Sequence, residues 1–227
     1  MLLDADVLPI RCYDHLFLLS TPAGIINERE DLFKRTNRSR RYVAVGRLDH
    51  GRWQWHDHYR AIPHGERIPA RITDRVLGDP TNLGVNAALL VLEPNINEYR
   101  AVVELLGSGV GPAARLADYR WPDMQFLTAF WSGRWHNVDL CFAGLSGYPE
   151  LALLFGTHFA GPKPWAIRNP TVHSRFRRFP DFRRWYEEYV EMVNANPELR
   201  SQARLAGLEE FARRAVLGRF DPTRCDS

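Results

Sequence analysis

Cysteine is scarce in this sequence. Cys12, Cys141 and Cys225 are its three cysteines, too few and too scattered for a disulfide framework or a thiolate zinc site. Long apolar runs are missing as well, and none approaches the roughly 18 residues that a membrane-spanning helix needs. The start, Met1-Leu2-Leu3-Asp4-Ala5-Asp6, is not a secretory signal, because carboxylates stand where basic and apolar regions belong. No internal repeat or low-complexity tract interrupts the chain. Lysine is nearly absent: Lys34 and Lys163 stand among 30 basic side chains, the rest being arginine. A compact ammonium cannot replace a planar guanidinium, so a lysine in an arginine-rich chain invites a functional reading beside the plain one of codon usage.

What is present fits a globular protein. The 227 residues are 45% apolar and 25% charged, enough for a real core in one domain or a modest two. The expectation is a soluble, cytoplasmic protein. Two basic stretches, Arg35 to Arg41 and Arg175 to Arg184, raise the alternative of nucleic-acid binding. The nearly balanced net charge of +3 argues instead for solvated surface, and no nucleic-acid partner is expected.

A strand pattern opens the chain at Leu2 to Leu8, and an apolar run follows at His15 to Leu19. Residues 27–82 are rich in Arg, Asn, His, Gly and Pro and read as a loop-rich insertion, with one short strand at Tyr42 to Val45. Val85 to Leu92 predicts a strand buried on both faces. Asn95 predicts a helix N-cap with Glu98 completing a capping box, and Tyr99, Val102, Val103 and Leu106 keep helical period. Gly107 to Pro112 end that helix, Pro122 opens another, and Leu151 to Phe159 reads as a strand. From about residue 178 the tail is helical. Phe182, Trp185, Tyr186, Tyr189, Val190 and Val193 form its first stripe, and Asn196-Pro197 starts its second helix. The class is α/β, with a catalytic portion over 1–177 and a helical C-terminal extension over 178–227.

Several side chains suggest chemistry. On a strand, Asp4 and Asp6 project to one face, and two close carboxylates invite a hard divalent cation; solvation of a turn is the plainer reading. His158 ends an apolar strand, Gly161 lets backbone approach a ligand, and Lys163 follows. Around a metal diphosphate these would supply a nitrogen ligand, an amide and a counter-charge. A core histidine before a proline-rich turn is the alternative. Asp123 sits in a helix's first turn, where the dipole alone rewards an acid by about 0.3–1 kcal/mol. Asn86, inside an apolar strand, serves either core hydrogen bonding or recognition of a sugar hydroxyl. His50, His56, His58 and His64 gather near Asp49 and Asp57, a weaker zinc alternative without helical spacing.

Taken in order, Asp4-Ala5-Asp6, Asn86-Ala87-Ala88 with Glu93-Pro94, Asp123 with Phe126-Leu127, and His158-Phe159-x-Gly161-x-Lys163-Pro164-Trp165 resemble the glycogenin-like glycosyltransferases of family 8. The resemblance runs from residue 1 to about 165 and is most specific in its last motif. It implies a GT-A fold and manganese-dependent hexose transfer from a UDP-sugar with retention, to a protein or glycan acceptor. It also implies Asp4, Asp6 and His158 as metal ligands. Asp4, Gly161, Lys163 and Asn86 are implied as donor contacts, and Asp123 as the catalytic carboxylate near the sugar. Ala87-Ala88 stands where the family has Ser-Gly, Met124 replaces its Gln, and one residue is missing between Gly161 and Lys163. In the family a nucleotide-binding α/β unit precedes the aspartate pair, whereas here the pair begins at the fourth residue. The expectation is a truncated transferase with an uncovered sheet edge for a partner chain or second copy. The alternative is a non-catalytic scaffold.

Overall fold

The computed structural model describes residues 1–26, 62–80, 82–146, 151–169, 172 and 179–216. The strand expected at Tyr42 to Val45, the basic run at 35–41, and His50, His56 and His58 lie outside them. The fold is mixed α/β, built on two small sheets. Its strands are β1 (Leu2–Leu3), β2 (Val7–Pro9), β3 (Ala23–Ile26), β4 (Val85–Val91), β5 (His136–Asn137), β6 (Gly144–Leu145) and β7 (Gly156–His158). The four-stranded sheet runs β1-β4-β3-β5, antiparallel except for the parallel β3–β5 pair. The other runs β2-β7-β6, with β6 and β7 parallel.

β4 is apolar apart from Asn86, and both its faces are covered. Leu89 and Val91 join Ala23, Ile25, Phe142 and Leu145 in a core shared by the two sheets. Val85 and Leu90 face a second cluster with Ile26, Trp131 and Trp135. The helices are α1 (Ala70–Thr73), α2 (Arg75–Gly78), α3 (Ile96–Ser108), α4 (Pro122–Phe130), α5 (Pro180–Ala195) and α6 (Ala203–Val216). Prolines at the first turns of α4 and α5 fix φ where a missing N–H costs nothing. Among the described residues no helix is long and apolar enough to cross a membrane.

Several elements depart from expectation. The opening strand is broken: residues 4–6 form a turn, and the chain leaves one sheet for the other there. Leu151 to Phe159 is a 3-10 turn at Leu151–Leu153 followed by the three-residue β7. Ile62, Ile68 and Val76 are buried, so the end of the supposed insertion is part of the core. Asn196 does not cap a helix, since its side-chain amide donates back to Met192 O; a 3-10 turn at Pro197–Ser201 intervenes before α6. Asn95 does cap α3, accepting from the N–H groups of Asn97 and Glu98 at 2.9 and 3.2 Å. Glu98 is drawn elsewhere, accepting from Trp131 Nε1 at 2.9 Å and pairing with Arg134. Tyr99, Val103 and Leu106 are exposed, because α3 turns Val102 and Leu105 toward its neighbours instead.

Two predictions test this packing. A side chain at Gly156 would collide with the Tyr13 hydroxyl and the Phe142 carbonyl, which are hydrogen-bonded to each other. Gly156→Ala is expected to cost about 3 kcal/mol, read from urea unfolding. Glu98 is held below its ordinary pKa of 4.5, chiefly by the Arg134 hydrogen bond and also by Trp131. The pair's stabilisation is therefore complete above the unfolded carboxyl's pKa and is lost as pH falls through the lower folded value. It is small, because both partners meet water. Glu98→Gln is expected to flatten the loss of stability between about pH 5 and pH 3, measured by urea midpoints against the parent.

Candidate metal centre

The turn between β1 and β2 is tied down on three sides by backbone. Val7 N donates to Asp4 O at 3.0 Å, closing the turn on itself. Asp4 N donates to Ala88 O on β4 at 3.0 Å, while Phe159 N donates to Asp6 O at 2.8 Å. β2 pairs with β7 so that Val7 lies opposite His158. Each sheet thus holds one end of Asp4-Ala5-Asp6, and the paired strand carries His158 to the same place. The carboxylates converge because the chain turns, not because a strand alternates.

One ligand atom from each of Asp4, Asp6 and His158 lies within 4.8 Å of the others, and no other such group occurs among the described residues. Nε2 of His158, whose residue is 6% exposed, is 3.4 Å from Asp6 Oδ1. Lys163 Nζ donates to Asp6 Oδ2 and, at 2.7 Å, to the Phe159 carbonyl. Asp6 Oδ1 and His158 Nδ1 are buried without a hydrogen-bond partner, a condition that folded proteins rarely leave uncompensated. A cation at this point would satisfy the carboxylate oxygen. The donor set, two carboxylates and an imidazole, suits a divalent ion that accepts both oxygen and nitrogen.

The electrostatics divide the two aspartates. Burial works to raise the Asp6 pKa, but the imidazole and ammonium beside it prevail and bring it down to about 2. Asp4 moves the other way. Burial raises its pKa most and the Asp6 charge adds to that; His158 opposes them, and the smaller effects of Asp123 and Lys163 act in opposite directions. Asp6 is therefore a firm anion, whereas Asp4 gains most from a cation between the pair.

The remaining expected residues fall around this group. Asp123 is exposed in the first turn of α4 and is not among the clustered ligand atoms, although its charge is felt at Asp4. Asn86 is buried on β4, where its Oδ1 accepts from Ala88 N at 2.8 Å. This local bond shapes the segment whose carbonyl at 88 anchors Asp4. Gly161 lies in the bend leading from β7 to Lys163. Among the described residues His64 does not belong to a metal group. Its Nδ1 accepts from Asp139 N at 3.1 Å, its ring stacks on Phe142, and burial lowers its pKa.

Support from α5 escaped the sequence reading. The buried Tyr186 hydroxyl donates to Pro164 O at 2.7 Å, pinning the segment that carries Lys163. Thr157, next to His158, donates to the buried Asp181 at 3.1 Å. Tyr186 reads along the sequence as one more member of an apolar stripe, and nothing in its spacing marks the carbonyl it meets. No family model matches this chain, and neither a curated protein nor a solved structure matches it.

Proposed function

We propose that this chain is a retaining, metal-dependent glycosyltransferase of the GT-A type, moving a hexose from a UDP-sugar to an acceptor. The observation that carries this reading is the convergence of Asp4, Asp6 and His158, with Lys163 on the rim, from motifs that lie far apart in the sequence. Asp4, Asp6 and His158 would hold the ion, and the nitrogen ligand favours manganese over magnesium. Bound there, a divalent ion would supply charge stabilisation to the departing diphosphate. Lys163 is the ammonium of the site and would exchange its bond to Asp6 for one to that diphosphate.

Asp123 is the carboxylate offered to the sugar. Retention proceeds either through a covalent bond to such a group or by attack on the leaving-group face, and the covalent route requires Asp123 close to the anomeric carbon. Asn86 holds the β4 segment beneath Asp4, and its amide is the available contact for a sugar hydroxyl.

The test is manganese-dependent hydrolysis of a panel of UDP-hexoses by the purified chain. UDP release that needs both manganese and Asp123 supports the enzyme. Donor binding without turnover identifies a scaffold that keeps the site but not the reaction. A folded protein that binds neither manganese nor donor overturns the proposal.

A further inference from the structure

Helix α3 carries an apolar stripe on its outer side. Ile96, Tyr99, Val103, Leu106 and Val110 follow one another at alternating steps of three and four residues, the spacing that keeps a helical seam in line. All five are exposed, at 60%, 64%, 48%, 41% and 61%. Val110 lies just past the helix, whose end is turned by Gly109 at φ 66°. The other large apolar side chains exposed among the described residues are scattered along the chain in ones, twos and threes. α3 has no buried residue of its own and rests on the fold through Val102 and Leu105, both only partly buried. A helix on the surface of a single chain turns its widest apolar face inward, so this orientation calls for a cover from outside. Arg100 and Glu104 stand together on one flank of the stripe, and both are exposed. Neither forms an ion pair among the described residues.

We infer that this stripe is the contact between two copies of the chain, their α3 helices lying antiparallel across a two-fold axis. The inference stands apart from the metal centre and from the proposed reaction. A two-fold axis brings the same patch of both copies together, so the patch must complement itself. This one does. With the axis level with Ala101, Ile96 comes opposite Leu106 of the second copy, and Tyr99 comes opposite Val103, a large group against a small one. The same operation brings Arg100 within reach of Glu104 of the second copy, and the reverse, so two opposite-charge pairs close over the seam. A parallel pairing would set this flank against the other one, Val102 and Gly109, and leave both charges unmatched. The area is sufficient. The five side chains leave on the order of 500 Å² uncovered, and pairing two copies removes about 1000 Å² from water, the threshold of a specific though weak interface. An unrelated partner would need an acid and a base placed to match Arg100 and Glu104, which a second copy already supplies.

Sedimentation velocity of the full chain over a concentration series is the test. A monomer–dimer equilibrium with a dissociation constant in the micromolar range is expected for an interface of this size. Val103→Glu is expected to raise that constant roughly thirtyfold or more, because it sets two carboxylates into the middle of the seam. Val103 is half exposed in the single chain, so the far-UV circular dichroism of this variant should match the parent's. Arg100→Glu and Glu104→Arg are each expected to weaken the dimer roughly tenfold, and the double variant to restore it to within about threefold, the original pairs being re-formed in reverse. A variant that merely loosened the fold would show no such rescue. A chain that stays monomeric at several hundred micromolar leaves the stripe to another segment or another protein and overturns the inference. A dimer that Val103→Glu leaves intact uses a different face and overturns it as well. Charge reversals that fail to rescue one another refute the antiparallel arrangement.

Discussion

Asp6→Asn and His158→Ala are each expected to weaken manganese binding by more than the roughly 10–100-fold that loss of a merely supporting partner costs. The reason is geometric. The three donor atoms lie within 4.8 Å of one another, so removing one takes away a third of the protein donors and leaves water to fill its place. Asp6 is the more severe loss, because it is the firmly ionised member and touches both His158 and Lys163. Asn keeps its shape and avoids an uncompensated cavity. Asp123→Asn is the contrast: lying outside the cluster, it is expected to leave the affinity for the metal alone within about twofold. The loss of the free-manganese electron paramagnetic resonance signal on titration measures all three. Undiminished binding in Asp6→Asn or His158→Ala sinks the assignment of ligands.

Lys163→Met is expected to split two affinities in opposite directions. In the present arrangement the ammonium occupies Asp6 Oδ2, so an incoming metal ion and Lys163 compete for one carboxylate. The repulsion between a divalent ion and the ammonium at about 4 Å amounts to about 2 kcal/mol even with the screening of water. Without the ammonium, metal alone should therefore bind roughly tenfold or more tightly. Pyrophosphate binding in the presence of metal should weaken by at least as much, because Lys163, displaced from Asp6 by the metal, is the ammonium beside it. A merely structural lysine would instead lower both affinities together by loosening the turn. Parallel calorimetric titrations of manganese, and of pyrophosphate at saturating manganese, tell these outcomes apart. A fall in affinity for the metal alone refutes the competition.

Some of this arrangement was legible in the residues themselves. The amphipathic period of Phe182, Tyr186, Tyr189 and Val193 predicts the buried face of α5, and those four side chains are buried. The unbroken apolar run at β4 predicts a strand covered on both sides, as it is. Asn95 announces the start of α3. In each case the controlling interaction is local or depends only on the spacing of apolar groups, so neighbours along the chain carry the information.

Other features depend on which distant backbone happens to lie alongside. Whether the expected stripe meets a core is decided by what packs on α3: Val102 turns inward as its period predicts, but it does so with Leu105, while Tyr99, Val103 and Leu106 stay exposed. Glu98 abandons the capping box because Trp131 and Arg134 reach it with better donors. The sequence by itself determined the donor types, two carboxylates, an imidazole and a lone nearby ammonium, since these are properties of side chains. Only tertiary structure decided that Asp4-Ala5-Asp6 turns between two sheets, that β2 pairs with β7 in the register placing Val7 against His158, and that α5 and α6 enclose a cavity beside them. Register and sheet order arise from hydrogen bonds between segments distant in the chain, Val7 with His158 among them, whose partners no local pattern specifies.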